Sequence, residues 1–224
     1  MGKSVYSLVL SDEIIREVDQ LAYRNGTNRS KMINQILADH VSVSTPEMRM
    51  REIFDRMEKL LLDTDFGHNA FQLQSLPSDT MFSLRSAISY KYNPTVRYNV
   101  ELYRQNEEDG AFGELRVNLR TQNQNLIQAL DGFYSRWQRI EATHFPDVLA
   151  ASNEGKYARK LKLRFRTEPD DSLSGLTVGE VISNYLNTFD HALKVYFELL
   201  AAGVEPTEQL NQIYDNYLTG EVYL

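Results

Sequence analysis

The sequence predicts an α+β protein of two domains, and three features of its residue pattern lead to this prediction. Between residues 12 and 41, apolar side chains recur every three or four positions, which is the spacing of one helix face. Between residues 82 and 119 they alternate instead, as in half-buried strands. The stretch SVSTP at residues 42–46 separates the two regions with small polar residues and a proline. We therefore expect one domain over residues 1–42 and another over residues 47–224.

The first domain is predicted to contain a short strand and two helices. Residues 5–10, VYSLVL, are almost entirely apolar and favour an extended strand. Ser11 is placed to cap a helix whose first turn carries acidic residues, and Gly26 is placed to end it. Asn28 is placed to cap the second helix. The apolar stripes of the two helices are Ile14, Val18, Leu21, Ala22, Ile33, Leu37 and Val41.

The second domain is predicted to combine helices with an antiparallel sheet. A helical pattern covers residues 50–61, and three alternating runs follow at residues 82–90, 96–102 and 115–119. Short polar connections between these runs predict a meander with one face in water. Further helices are predicted over residues 126–140, 178–196 and 210–217. Residues 157–166, YARKLKLRFR, alternate and predict a fourth strand.

Composition limits the chemistry that we expect. The chain has 224 residues and no cysteine, so disulfides and thiolate metal sites are excluded. His40, His68, His144 and His191 do not stand at metal-ligand spacing, so we expect no metal or cofactor. No nucleophile motif or phosphate-binding glycine loop is present, and the neighbours Asp190 and His191 point apart on a helix, so we expect no enzyme. No membrane segment or signal peptide is evident, which predicts a cytoplasmic protein.

The distribution of charge permits only a local nucleic-acid site. The net charge is −7, whereas non-specific DNA affinity comes from an excess of Lys and Arg. Residues 1–45 carry five basic and five acidic side chains, so the whole negative excess lies in residues 46–224. A DNA contact is therefore expected in the first domain rather than over the whole surface.

The predicted first strand needs a partner. A lone strand leaves its backbone groups unpaired, and no second strand follows it before the helices. The same strand of a second copy satisfies both chains and forms a two-stranded antiparallel ribbon. Such a ribbon fits the major groove of DNA.

Residues 3–41 resemble the ribbon-helix-helix family of DNA-binding proteins, of the Arc, MetJ and CopG type. The resemblance rests on the strand ending LVLS, the first helix DEIIREVDQLAYRNG and the turn GTNRSKMINQIL. It implies an intertwined dimer with Tyr6, Leu8 and Leu10 in its core and Val5, Ser7 and Val9 facing the bases. It also implies phosphate contacts by residues around the strand start and the second helix start, namely Lys3, Asn28, Arg29, Ser30 and Lys31.

The apolar base-facing side of the ribbon leaves two interpretations open. In one, specificity is modest and AT-leaning, and affinity comes from the phosphate contacts and from dimers that bind side by side. In the other, the ribbon serves dimerisation alone, and its outer face is covered by residues 47–224 or by another protein.

Two further groups of residues in the second domain are candidates for contacts. The basic residues Lys160, Lys162, Arg164 and Arg166 form one predicted strand face, which would contact DNA or an acidic partner, or simply lie in solvent. Tyr185, Phe189 and Tyr196 share a helix face and would either line a pocket for an apolar effector or belong to the core. We recognise no family resemblance for residues 47–224.

The sequence as a whole predicts a dimeric DNA-binding transcriptional regulator of repressor type. Its second domain is expected to oligomerise, sense a small-molecule effector or bind a protein partner. The alternative is an interaction and dimerisation module, antitoxin-like or used in plasmid or phage maintenance, with little sequence-specific DNA binding.

Overall fold

The structure is a computed structural model, and it describes residues 7–41, 45–62, 71–75, 78, 80–166 and 175–224. The chain divides into two compact units, Met1–Met48 and Arg49–Leu224. The described residues form helices and antiparallel sheet, so the protein is of mixed α and β structure.

The first unit contains the helices α1 (Asp12–Arg24) and α2 (Arg29–His40). The Ser11 side chain accepts a hydrogen bond from the Ile14 amide, and the Asn28 side chain accepts one from the Lys31 amide. Gly26 has φ +60°, the left-handed conformation that a glycine adopts without steric cost. Both predicted caps and the predicted turn are therefore confirmed.

The predicted N-terminal strand is not confirmed. Val5 and Tyr6 lie outside the described residues, while Ser7 to Leu10 form no strand, and the first strand of the described part begins at Gln72. A strand is defined by backbone hydrogen bonds to a neighbour, and within one chain no described residue pairs with residues 7–10. The tertiary structure of a single chain thus leaves the ribbon prediction open.

The second unit is built on a six-stranded antiparallel sheet and a separate two-stranded sheet. The elements are α3 (Pro46–Leu62, whose first residues belong to the first unit), β1 (Gln72–Ser75), β2 (Met81–Ala87), β3 (Thr95–Leu102), β4 (Gly113–Leu119), α4 (Gln124–His144), β5 (Ala150–Asn153), β6 (Lys156–Leu161), β7 (Arg164–Phe165), α5 (Gly175–Ala202), α6 (Thr207–Tyr217) and β8 (Val222–Tyr223). The strand order of the large sheet is β1-β2-β3-β4-β6-β5, and β7, which precedes α5, pairs with β8, which follows α6.

The predicted meander is confirmed, because β2, β3 and β4 pair in sequence order. The predicted single strand over residues 157–166 is wrong. It breaks after Leu161, and Arg164–Phe165 pairs instead with Val222–Tyr223 in the small sheet. β1, β5 and β8 were not predicted, since they have two to four residues and lack a full period of apolar alternation.

One face of the large sheet forms the core of the second unit. Tyr98 on β3, Val117 on β4 and Tyr157 on β6 are buried on this face. The helices α4 and α5 pack against it, and Phe189 of α5 contacts the rings of six aromatic residues: Tyr98, Phe133, Tyr134, Trp137, Tyr157 and Tyr185. The other face of the sheet carries the alternating polar residues, as the predicted wet face requires.

Candidate functional site

The first unit has a small core and a large exposed apolar surface. Val18, Ala22 and Met32 form its buried cluster, against which Ile33 packs. Twelve large apolar side chains are exposed in the described part of the chain, and eight of them lie between Leu8 and Val41. The exposed group on α1 and α2 is Ile14, Leu21, Tyr23, Ile36, Leu37 and Val41.

Part of each predicted stripe therefore faces solvent in the single chain. Ile14 is 50% exposed and Leu37 is 51% exposed, although the helical spacing predicts that both are buried. Met32, which was not predicted, takes one of the buried positions instead. The apolar face identified from the sequence is wider than the described residues of the first unit cover.

Four of the residues predicted to contact phosphate, Asn28, Arg29, Ser30 and Lys31, lie at the start of α2. The Asn28 cap satisfies the Lys31 amide, whereas the amides of Arg29 and Ser30 have no acceptor within the helix. Free amides at a helix start and the positive end of its dipole attract anions. Arg29 and Lys31 are exposed and add positive charge there.

Arg29 already binds an acid of the same unit. Its Nε and Nη2 donate to the two carboxylate oxygens of Asp19 on α1, at 2.7 and 2.6 Å. The hydrogen bond from Arg29 holds the pKa of Asp19 below its ordinary value, against a smaller opposing effect of burial. The two side chains remain 53% and 45% exposed, so the pair is accessible to a competing anion.

The predicted base-facing residues are described only in part. Lys3 and Val5 lie outside the described residues, whereas Ser7 and Val9 are exposed. Val9 reaches 102% of its reference accessibility, so no described residue of the first unit covers it.

The predicted basic face of residues 160–166 is divided by the break between β6 and β7. Lys160 donates to Glu107 and to the Tyr103 hydroxyl at 2.7 Å each, and the bond to Glu107 is the main cause of its raised pKa. Lys162 and Arg164 both donate to Asp147, at 3.3 and 2.7 Å.

These contacts neutralise much of the predicted basic face. The hydrogen bond from Arg164 is the main reason that the pKa of Asp147 falls to about 2. Arg166 donates to the Thr219 carbonyl at 3.4 Å. The four residues do not form one continuous basic surface.

A buried polar cluster that the sequence reading missed lies between α4, α5 and β6. Glu141 is fully buried and accepts hydrogen bonds from the hydroxyls of Tyr157 and Tyr185, each at 2.8 Å. Arg159 is 1% exposed, and its Nε lies 2.8 Å from Glu141 Oε1 in an ionic contact without hydrogen-bond alignment. Its guanidinium also stacks 4.5 Å from the centre of the Tyr185 ring.

Burial and charge explain the protonation states in this cluster. Burial, and then the Glu141 carboxylate, raise the pKa values of Tyr157 and Tyr185 well above the ordinary value, so both remain hydroxyl donors. Burial is the largest single influence and lowers the pKa of Arg159, but Glu141 and the neighbouring tyrosines together raise it above the ordinary value. The ion pair of Glu141 and Arg159 holds α4 to the sheet together with the two tyrosine hydroxyls that donate to Glu141, and its residues are shielded from solvent.

A second buried carboxylate joins α5 to the sheet. Asp190 accepts hydrogen bonds from Tyr98 at 2.7 Å and Ser86 at 3.1 Å, and its ion pair with Lys194 spans 2.8 Å. His191 is exposed, so the two neighbours point apart as predicted. Both carboxylate clusters stabilise the packing of helices on the sheet.

The aromatic residues considered for an effector pocket lie in the core. Tyr185 and Phe189 are fully buried and Tyr196 is 3% exposed. A shallow groove of about 540 Å³ does exist nearby, between α4 and the start of α6. Arg136 in this groove forms an ion pair with Glu205 at 3.5 Å, so side chains of the protein itself fill its charged part.

Neither metal binding nor membrane spanning finds support in the described residues. Among them, no three His, Asp or Glu side chains converge around one point. In the same described part of the chain, no helix combines the length and the apolar character needed to cross a membrane.

Comparisons with known proteins return nothing: no family model, no curated protein and no solved structure matches this chain.

Proposed function

We propose that this protein is a dimeric DNA-binding transcriptional regulator whose first unit pairs with the first unit of a second copy. The observation that carries the proposal is the exposed apolar surface of α1 and α2. A unit of 48 residues with three buried cluster residues and no disulfide falls below the size that usually folds alone without a further stabilising element. A second copy supplies the missing apolar partner.

The energetic gain from such pairing is large for a small unit. Ile14, Leu21, Ile36 and Leu37 are each between 38% and 51% exposed. Burying the exposed part of one such side chain stabilises the dimer by roughly 1 kcal/mol. Both copies contribute equally in a symmetric dimer, so the sum is comparable to the whole stability of a small domain, about 5–15 kcal/mol.

Dimerisation also gives residues 5–10 their proposed role. Paired with the same segment of the second copy, they form a ribbon in which Val5, Ser7 and Val9 face the major groove. Valine offers only apolar contact with a thymine methyl, so the ribbon contributes little polar discrimination. Affinity comes mainly from the helix starts, where Asn28, Arg29, Ser30 and Lys31 meet the flanking phosphates, with Lys3 at the groove rim.

DNA binding is tested by fluorescence anisotropy with random and AT-rich duplexes at several salt concentrations. Each phosphate contact adds about 0.9 to the slope of log affinity against log salt concentration. The pair of substitutions Arg29→Ala and Lys31→Ala is expected to reduce this slope by about 2 per chain in contact. The matched control, Arg16→Ala with Arg24→Ala, removes the same charge from α1 and should change the slope far less.

Absence of duplex binding at low salt contradicts the DNA-binding proposal. If the protein is nevertheless a dimer, the alternative of an interaction and dimerisation module is favoured, for which the open apolar face at Val9 is the supporting observation.

The dimer is tested by sedimentation equilibrium of the full chain. Leu37→Glu places a charge in the exposed apolar surface of α2 and is expected to weaken dimerisation at least tenfold. Leu200→Glu is a matched control, because Leu200 is 45% exposed on α5 in the second unit. A Leu37→Glu variant that dimerises as tightly as the wild type would contradict the assignment of the interface.

A further inference from the structure

A row of polar side chains crosses the outer face of the six-stranded sheet. Directly paired residues of neighbouring antiparallel strands lie side by side on one face. The register pairs Gln72 with Arg85, Arg85 with Arg97, Arg97 with Asn118, and Asn118 with Lys156. These five residues, the cationic row, therefore lie in line across β1, β2, β3, β4 and β6.

The row is open to solvent. Gln72, Arg85, Arg97 and Lys156 are exposed, and Asn118 is partly exposed. The residues that precede or follow them on the same strands are buried on the core face, among them Leu84, Tyr98, Val117 and Tyr157. The backbone of the sheet thus holds the row on the face opposite α4 and α5.

The positive charge of the row has no internal counterpart among the described residues. Arg85 uses its Nε to donate to the Gln72 amide oxygen at 3.1 Å, which leaves its terminal nitrogens available. Arg97 and Lys156 form no hydrogen bond or ion pair within the described part of the chain. Arg85 and Arg97 stand directly opposite each other, an arrangement of like charges that destabilises a sheet.

The acids on this face of β3 and β4 are separated from the row and neutralised. Glu101 and Glu114 are paired in register, four positions from Arg97 on β3 and four positions from Asn118 on β4. Arg116, in the intervening line, forms ion pairs with both of them. The charges of Glu101 and Glu114 are therefore already countered by Arg116.

The chemistry of the row fits a phosphate backbone better than a peptide. Arginine forks bind phosphate oxygens in a bidentate way, and the amides of Gln72 and Asn118 add neutral donors. The next line of the same face consists of Ser83, Asn99, Arg116 and Ala158, and these four described residues offer a peptide no large apolar anchor and a base no aromatic stacking surface.

The length of the cationic row also fits the phosphate backbone of duplex DNA. Three strand spacings separate Arg85 from Lys156, which is about 14 Å. One strand of duplex DNA rises about 3.4 Å along the axis for each phosphate and also winds around it, so the row matches a short run of consecutive phosphates. We propose that the cationic row binds the phosphate backbone of double-stranded DNA without reading its sequence.

This inference rests on the proposed DNA-binding function and adds a second backbone contact, one made by the second unit. The cationic row gives the second unit a surface that attracts phosphate, although the net charge of this unit is negative. On this face Glu101 and Glu114 are paired with Arg116, whereas Arg85, Arg97 and Lys156 form no ion pair with any described residue.

The test compares full-length variants by fluorescence anisotropy on a random-sequence duplex over a range of salt concentrations. The row variant carries Arg85→Gln, Arg97→Gln and Lys156→Gln. Its matched control carries Arg51→Gln, Lys59→Gln and Arg139→Gln, which removes three exposed positive charges from α3 and α4. The row variant is expected to lower the salt slope by about 2 to 3, and the control by less than about 1.

The outcomes separate this inference from the proposed function. If the row variant keeps the wild-type slope while Arg29→Ala with Lys31→Ala lowers it, the inference is overturned and the proposed function stands. If only the row variant lowers the slope, the inference stands and the α2 phosphate contacts are overturned. If the wild type binds no duplex at low salt, both are overturned.

Competition identifies the class of partner. Unlabelled duplex should displace the labelled duplex from the wild type, and polyglutamate of equal charge should not. Equal displacement by polyglutamate would overturn the DNA assignment in favour of an acidic protein. Unchanged Trp137 fluorescence in each variant verifies that the sheet and its helices remain folded, because this tryptophan is buried in the core of the second unit.

Discussion

Removal of the buried arginine of the second unit should destabilise it strongly. Arg159→Met keeps most of the side-chain volume but leaves the Glu141 carboxylate fully buried without its cation, which lies 2.8 Å away. The hydroxyls of Tyr157 and Tyr185 remain as donors to the carboxylate. Because the loss of one partner from a buried ion pair typically costs 3–5 kcal/mol, we expect a loss of about 3–5 kcal/mol in the free energy of unfolding.

The assay is urea unfolding at neutral pH followed by tryptophan fluorescence. The chain has one tryptophan, Trp137, whose Nε1 donates to the Tyr185 hydroxyl at 3.1 Å. Its emission therefore reports on the region around the ion pair. As a control, Arg116→Met removes an exposed arginine with two acidic partners and should cost no more than about 1 kcal/mol.

A second substitution separates the effect of charge from that of packing. Arg159→Met combined with Glu141→Gln removes both charges and retains an acceptor for the tyrosine hydroxyls. We expect the double variant to recover roughly 2 kcal/mol or more of the loss, since no uncompensated charge remains buried. A cost below about 1 kcal/mol for Arg159→Met, or a double variant as unstable as the sum of its parts, would refute the reasoning.

Two further predictions concern surface ion pairs. Asp19→Asn releases Arg29 for phosphate and should raise duplex affinity and the salt slope in the anisotropy assay, whereas Asp39→Asn, which removes an equal charge from α2, should leave the slope nearly unchanged. The lowered pKa of Asp147, about 2, stabilises the fold above the ordinary aspartate pKa near 3.9, and this stability is lost as the pH falls through 2. Asp147→Asn should therefore abolish that acid-dependent loss, measured by urea unfolding between pH 5 and about 2, and cost well under 1 kcal/mol at neutral pH because the carboxylate is 54% exposed.

Local residue chemistry made the helices and the meander predictable. Ser11, Gly26 and Asn28 act within three or four residues of their own position, so their capping and turning roles follow from sequence distance alone. Alternation over seven or eight residues likewise identified β2, β3 and β4. The short strands β1, β5 and β8 were missed, because their pairing depends on neighbours that are distant in sequence.

The surroundings of the buried ion pair show why the predicted basic face included residues that are already neutralised and omitted Arg159. In YARKLKLRFR, the predicted basic face was Lys160, Lys162, Arg164 and Arg166. Lys160 is neutralised by Glu107, and Arg164, which lies beyond the end of β6, is neutralised by Asp147. Arg159 lies in phase with Tyr157 and Leu161, on the core face. The position of Arg159 on the core face could be read from the sequence, but its ionic partner Glu141 is 18 positions away on α4.

The sequence by itself determined the two-part organisation of elements, the capped helix pair of residues 12–40, and the antiparallel meander with the phase of its three strands. These depend on interactions between residues close in the chain. Only the tertiary structure decided that Glu141 and Arg159 meet in the core, that Asp19 binds Arg29, and that Arg85, Arg97 and Lys156 align across the sheet. Strand order and register bring these side chains together over long stretches of chain, and periodicity within one strand carries no information about either.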